Sequence, residues 1–301
     1  MIKPAALAFG DSIGIVAPAG SFKRDVFERG VRKLQSMGFE VKYDQEIFQN
    51  DRYLAGKDNV RAEQIHRYFS DPEIKAIFCA RGGYGSLRLI RYLKLGIIRA
   101  NPKIFMGYSD ITTLLLYLQR RCSLVAFHGP MVTPDLGREE ISPFVQDHLL
   151  RLLGNPQPIG ELSDSGIEVI RKGQASGLLT GGCLTLVALS IGTPFEVQTR
   201  DRILFLEDVG EPLYRIDRLL TYLKVAGKLR GVKGLVFGKM EDCYSTELPA
   251  VIADVLRGFK MPILYNFSSG HGGDNLALPF GVRAMVDGNQ GRLILEEGAV
   301  N

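Results

Sequence analysis

The sequence predicts an α/β protein built around a parallel sheet, and three observations point to it. Short apolar runs of strand type alternate through the first half with segments whose apolar residues recur at helical spacing. The runs are mostly apolar, as in "SIGIV", "IKAIF" and "KIFM", which fits strands covered on both faces. Their carboxyl ends open into turns of Gly, Pro and small polar residues, "APAG", "ARGGYG" and "GYSD", where ligands gather in such sheets.

In chain order, "DSIGIVAPAG" (11–20) is a buried strand ending in a turn. A helix follows over 23–37, with Val26, Val31 and Leu34 on one face. "FEVKYD" is a strand, "DNVRAEQIHRYFSD" a helix and "IKAIFCA" a strand. After the loop "RGGYG", "SLRLIRYL" reads as a helix, "KIFMG" as a strand, "SDITTLLLYLQRR" as a helix and "LVAFHG" as a strand. A helix near "SPFVQDHLLRLL" closes a first domain, 1–153.

"GNPQPIGELSDSG" (154–166) is rich in Gly, Pro and Ser and reads as a linker to a second domain, 167–301. There "GIEVIRKGQASGLLTGG" suggests short strands joined by glycine turns, with a helix from Cys183 to Ser190. Strand "RILFLED", helix "PLYRIDRLLTYLKVAG", strand "VKGLVFGKM", a helix over 247–257, strand "PILYNF" and a tail of short strands complete it. This is a smaller β-rich mixed α/β domain whose short strands are expected to curl toward a partial barrel.

The 301 residues are 46% hydrophobic and 23% charged, an ordinary globular composition with room for two cores. A net charge of +4 without a basic block gives nucleic-acid binding little support. Cys79, Cys122, Cys183 and Cys243 are too widely spaced for a C-x-x-C zinc or redox pattern and fit reduced thiols of a cytosolic protein. The opening "MIKPAALAFGDS" lacks the apolar core of a signal peptide, and no window approaches a membrane span. A cytoplasmic protein without membrane partners is expected.

Ser109 stands where strand passes to helix, on the corner "GYSD". A serine there has its hydroxyl at the carboxyl edge of the sheet, with the next amide, of Asp110, directed at developing negative charge. Capping of the helix by Ser109 or Asp110 explains the same residues. Of four histidines, His66 and His148 lie within helices, as surface or boundary residues without a chemical role. His128, closing a strand, either lines the same edge or is a hydrogen-bonded turn residue. His271 sits in "SSGHGGDNLALP", a glycine-flanked loop where no apolar periodicity calls for an imidazole. A serine–histidine pair needs an acid to hold the imidazole, and Glu207 and Asp208 compete for that role at the end of "RILFLED". The plainer reading of Glu207 is a helix-start acid, because Pro212 opens a helix soon after, and Asp208 or Glu211 could serve that helix.

With Ser109, Glu207 and His271 in place, the sequence resembles the LD-carboxypeptidases, or muramoyltetrapeptide carboxypeptidases, serine peptidases with a Ser-Glu-His triad. The likeness runs through "GDSIGIVAPAG", "ARGGYG", "GYSDIT", "FHGPM", "LTGGCLTLVALSIGTP", "LFLEDVGEPLYRIDRLLTYL" and "SGHGGDNLALPFG". It implies Ser109 as nucleophile, Glu207 as orienting acid and His271 as base. It implies a flavodoxin-like or class I glutamine-amidotransferase-like first domain, a homodimer, and a cytoplasmic role in recycling murein peptides. Neither cofactor nor metal is expected. The amides of Asp110 and of Gly83 or Gly82 are expected to hold the oxyanion. Arg81, Gly82 and Tyr108 are expected to contact substrate, Arg81 through the terminal carboxylate, although a plain surface role fits Arg81 equally well.

Three rivals stand beside this reading. An α/β-hydrolase elbow, G-x-S-x-G, needs a small residue where Ile111 stands. A microcin C self-immunity peptidase of the same family grips an adenine on an aromatic platform, and this chain has no tryptophan. A two-domain small-molecule binder would use the same cleft without an activated serine.

Overall fold

A computed structural model describes residues 1–162, 164, 166–243 and 246–301. In the first half, β1 (Ser12–Val16), α1 (Arg24–Ser36), β2 (Glu40–Lys42), α2 (Asp58–Ser70), β3 (Ile74–Cys79), α3 (Leu95–Ala100), β4 (Ile104–Gly107), α4 (Thr112–Cys122), β5 (Ala126–His128) and α5 (Pro143–Gly154) follow one another. The five strands pair in parallel in the order β2-β1-β3-β4-β5, the flavodoxin order that the resemblance implies. Adjacency of β1, β3 and β4 brings the loops after them together at one sheet edge.

The second half comprises β6 (Gly160–Leu162), β7 (Glu168–Arg171), β8 (Gln174–Cys183), α6 (Leu184–Leu189), β9 (Arg202–Val209), α7 (Leu213–Val225), β10 (Gly234–Glu241), α8 (Leu248–Val255), β11 (Ile263–Tyr265), β12 (Leu278–Phe280), β13 (Arg283–Asp287) and β14 (Arg292–Leu295). Its sheet runs β6-β14-β13-β8-β9-β10-β11-β7, with β8 to β11 parallel and antiparallel strands outside them. Among the described residues the edge strands β6 and β7 do not pair with each other, which leaves the sheet open there. β12 crosses over and pairs antiparallel with β5, placing Leu278 opposite His128.

Three expectations need revision. The stretch 154–166 carries β6 within its Gly- and Pro-rich sequence, because Gly160–Leu162 finds a partner in β14; Ser163 and Ser165 lie outside the described residues. "SLRLIRYL" forms only a 3₁₀ turn at Ser86–Leu89, and the helix comes later, at α3. Tertiary contacts override its helical period: Asp110 takes the Ser86 amide and Asp58 takes Arg88. His66 and His148 are buried, bonded to the Lys94 amide and the Ala277 carbonyl, respectively.

Side-chain alternation sorts the second sheet. Ile203 and Phe205 of β9 join the core shared with the first half, whereas Leu204 and Leu206 pack with α6, α7 and α8. Continuing that alternation, Glu207 faces the first half and Asp208 faces α6. The close approach of the halves needs glycine at 182, where a Cβ would lie 2.6 Å from Thr112 Oγ1.

Candidate active site

β4 ends on Gly107, where a Cβ would lie 2.9 Å from Ile111 Cγ2, so the chain turns tightly. Ser109 takes φ +60°, the left-handed region that costs an L-residue on the order of 1–3 kcal/mol. A short 3₁₀ turn, Ser109–Ile111, then leads into α4. Neither segment has a side-chain cap bond, so capping does not account for Ser109. Asp110 turns inward: its Oδ2 accepts from the Ser86 N–H at 2.8 Å, and its carbonyl accepts from Ser86 Oγ at 2.6 Å. Burial pushes its carboxyl pKa up, with the Ser86 amide opposing.

The loop after β3 closes over this turn. A Cβ on Gly82 would stand 2.9 Å from Ser109 Cβ, 3.0 Å from its Oγ and 3.4 Å from the Asp110 nitrogen. The Gly82 carbonyl accepts from the Gly20 N–H at 3.0 Å, and across that trans peptide the Gly83 N–H points the opposite way, away from Gly20. Arg81 is exposed and donates one Nη1–H to the Ser21 carbonyl at 2.7 Å.

Glu207 is fully buried, and its Oε2 accepts from His271 Nδ1 at 2.6 Å and from the His271 backbone N–H at 3.1 Å. Gly270 permits this approach: at φ +101° it is already in glycine territory, and a Cβ would sit 2.5 Å from Glu207 Oε2. Burial disfavours the imidazolium, but the hydrogen bond and charge of Glu207 outweigh it and raise His271 above its usual pKa. Asp208, the competing acid, accepts from the Thr185 amide and hydroxyl at 2.9 and 2.8 Å and so serves the start of α6.

Among the described residues, Ser109 Oγ and His271 are not hydrogen-bonded to each other; Tyr108 links their turns. Its ring meets the His271 ring edge-on, centroids 4.9 Å apart, and its hydroxyl lies 3.5 Å from Asp135 Oδ1. Tyr108 is buried, so its side chain shapes the site from behind. Asp135, outside every quoted motif, and Asn275, within "SGHGGDNLALPFG" but not singled out there, are part of the same cluster: Asp135 accepts from the Met131 amide at 2.8 Å, and burial pushes its pKa up to about 6. His128 is buried among Tyr108, Phe205 and Phe280, and both ring nitrogens lack partners among the described residues. Burial, then the charge of His271, pulls its pKa down to about 3, so it stays neutral behind the site.

A buried carboxylate–imidazole pair opposite a strained serine, with glycine amides close by, suits acyl transfer to water. The N-terminal domain of LD-carboxypeptidases matches residues 13–129, and their C-terminal domain matches 176–286. The chain is 34% identical to a probable murein peptide carboxypeptidase of Bacillus subtilis, over 98% of this chain and 95% of that one. It superposes on a microcin C7 self-immunity protein mutant in complex with adenosine monophosphate with a TM-score of 0.92 at 26% identity, covering 100% of both chains. It superposes on the muramoyltetrapeptide carboxypeptidase of Oxalobacter formigenes with a TM-score of 0.82 at 28% identity, covering 94% of this chain and 97% of that one. The fold, the matched domains and the relatives agree: the chain belongs to the LD-carboxypeptidase family of peptidases.

Proposed function

We propose that this protein is a serine carboxypeptidase that releases the C-terminal D-alanine of free murein tetrapeptides, cleaving an L-centre to D-Ala bond in cytoplasmic cell-wall recycling. The observation that carries the reading is the 2.6 Å bond from His271 to buried Glu207, on a loop whose imidazole packs against the neighbour of Ser109. In this reading His271 Nε2 takes the Ser109 proton as Oγ attacks the last peptide carbonyl. The amides of Asp110 and Gly83 receive the oxyanion, each donor worth on the order of 3 kcal/mol in the transition state. His271 then protonates the departing D-alanine amine; water, deprotonated by His271, attacks the Ser109 ester, and the shortened peptide leaves as its carboxylate while His271 returns the proton to Oγ. The serine hydroxyl supplies the nucleophile, so the route requires no metal. Arg81, exposed beside Gly82 with guanidinium donors to spare, is the group we assign to the substrate's terminal carboxylate.

A second reading, hydrolysis of aminoacyl-nucleotides, is favoured by the superposition on the microcin C7 self-immunity protein, TM-score 0.92 against 0.82. The lack of tryptophan for an adenine platform weighs against it. Mass spectrometry of a tetrapeptide and an aminoacyl-adenylate analogue, each incubated with purified protein, separates the two. Loss of one D-alanine from the tetrapeptide is expected. An intact tetrapeptide beside a cleaved adenylate would establish the second reading instead.

A further inference from the structure

We propose that Arg138 is a positioning residue for the base: its guanidinium, carried by the first half, latches the glycine loop of His271 so that the imidazole faces Ser109. The inference rests on reading Ser109 and His271 as nucleophile and base. Arg138 donates Nε–H to the Pro134 carbonyl at 2.8 Å, Nη1–H to the Gly273 carbonyl at 2.5 Å and Nη2–H to the Gly272 carbonyl. A planar guanidinium presents its N–H donors to two consecutive carbonyls in a fixed fork, whereas an ammonium offers three donors from one freely rotating point. Gly272, at φ +149°, and Gly273 have no side chains with which to anchor themselves, and glycine loses more freedom on ordering than any other residue.

The same stretch of the first half holds the loop from inside. Asn275 accepts from the Gly270 N–H at 2.9 Å and donates to Asp135 Oδ1 at 3.4 Å. His271 therefore lies between two points of attachment, Gly270 through Asn275 and Gly272–Gly273 through Arg138. Other bonds of this loop run to the second half, to Glu207, to Asp164 and to the Lys239 amide. Those fix the base relative to its acid, whereas attachments to the first half fix it relative to Ser109.

The test compares wild type, Arg138→Ala and Arg138→Lys by kcat and KM on the tetrapeptide and by the rate at which a fluorophosphonate labels Ser109. In the alanine variant, kcat and labelling should fall together by roughly 100-fold, the effect of a displacement of about 1 Å, while KM stays within about threefold. Lysine, with one donor point in place of a fork, should lose about tenfold on both. If the alanine variant does not fold, the lysine variant decides alone. Wild-type kcat and labelling in a folded variant would overturn the latch. So would a large rise in KM with kcat and labelling unchanged, which would make Arg138 a substrate-binding residue. An unlabelled wild-type protein would instead overturn the nucleophile assignment on which the latch depends.

Discussion

Glu207 Oε2 accepts two hydrogen bonds from a single residue, His271, one from ring Nδ1 and one from the backbone N–H, at 2.6 and 3.1 Å. Because the carboxylate can only accept, Nδ1 carries the proton and Nε2 keeps its lone pair for the cleft. Loop and ring are thus oriented by one buried oxygen.

This arrangement sets the pH dependence. A base works only when neutral, and the pKa of His271, the base we propose, is raised, so the acid limb of kcat/KM should lie above the ordinary 6.5 of histidine. In Glu207→Gln the two largest raising contributions disappear, and burial, which lowers the pKa, is opposed only by the smaller effects of the Asp208 and Asp135 charges. The limb should then move to lower pH while kcat drops by about 10⁴, as the wrong tautomer becomes favoured. Paired pH–rate profiles check it; limbs at the same pH in both proteins would remove Glu207 from its role.

Gly82→Ala should silence the enzyme without unfolding it. Gly82 is not in the left-handed region, so alanine suits its backbone, yet the new methyl would stand 2.9 Å from Ser109 Cβ and 3.0 Å from its Oγ. We expect kcat/KM to fall by about 100-fold or more, with the melting temperature close to wild type, since the methyl both crowds the proposed nucleophile and displaces a proposed oxyanion donor. Calorimetry and steady-state kinetics on one preparation suffice.

Gly30→Ala should do the opposite of what helix propensity suggests. In an open helix the exchange stabilises by about 1 kcal/mol. Here a Cβ would sit 2.1 Å from the Val132 carbonyl and 2.8 Å from Val132 Cγ1, against the segment that carries Asp135 and Arg138. A net loss of about 1–3 kcal/mol is expected, from overpacking. Urea unfolding reads it as a lower midpoint; a higher one would mean α1 can back away.

Much of this was legible in the sequence, and what was not has physical causes. The turn "GYSD" announced itself because strand and helix periods meet within four residues there, and glycines flanking a lone histidine marked His271. Glu207 and Asp208 could not be separated locally, since β9 is apolar on both faces; only the packing shows that Glu207 shares a side with Ile203 and Phe205. Asp135, Asn275 and Arg138 were invisible for another reason. Their bonds join a carboxylate, a carboxamide, a guanidinium and backbone groups brought together from the two halves, and no local pattern encodes such contacts. The strand in 154–166 was hidden because β6 is only three residues long and exists through its pairing with β14.

If Ser109, Glu207 and His271 work as one unit across the two halves, as we propose, kcat of Ser109→Ala, His271→Ala and the double variant must show it. Each single variant should abolish turnover while remaining folded, because Ser109 lies on a turn and His271 on a glycine loop. The double variant should be about as slow as either single one, since members of one catalytic unit are strongly non-additive. A double variant slower by the product of the two single losses would show that the residues act independently and would contradict the triad.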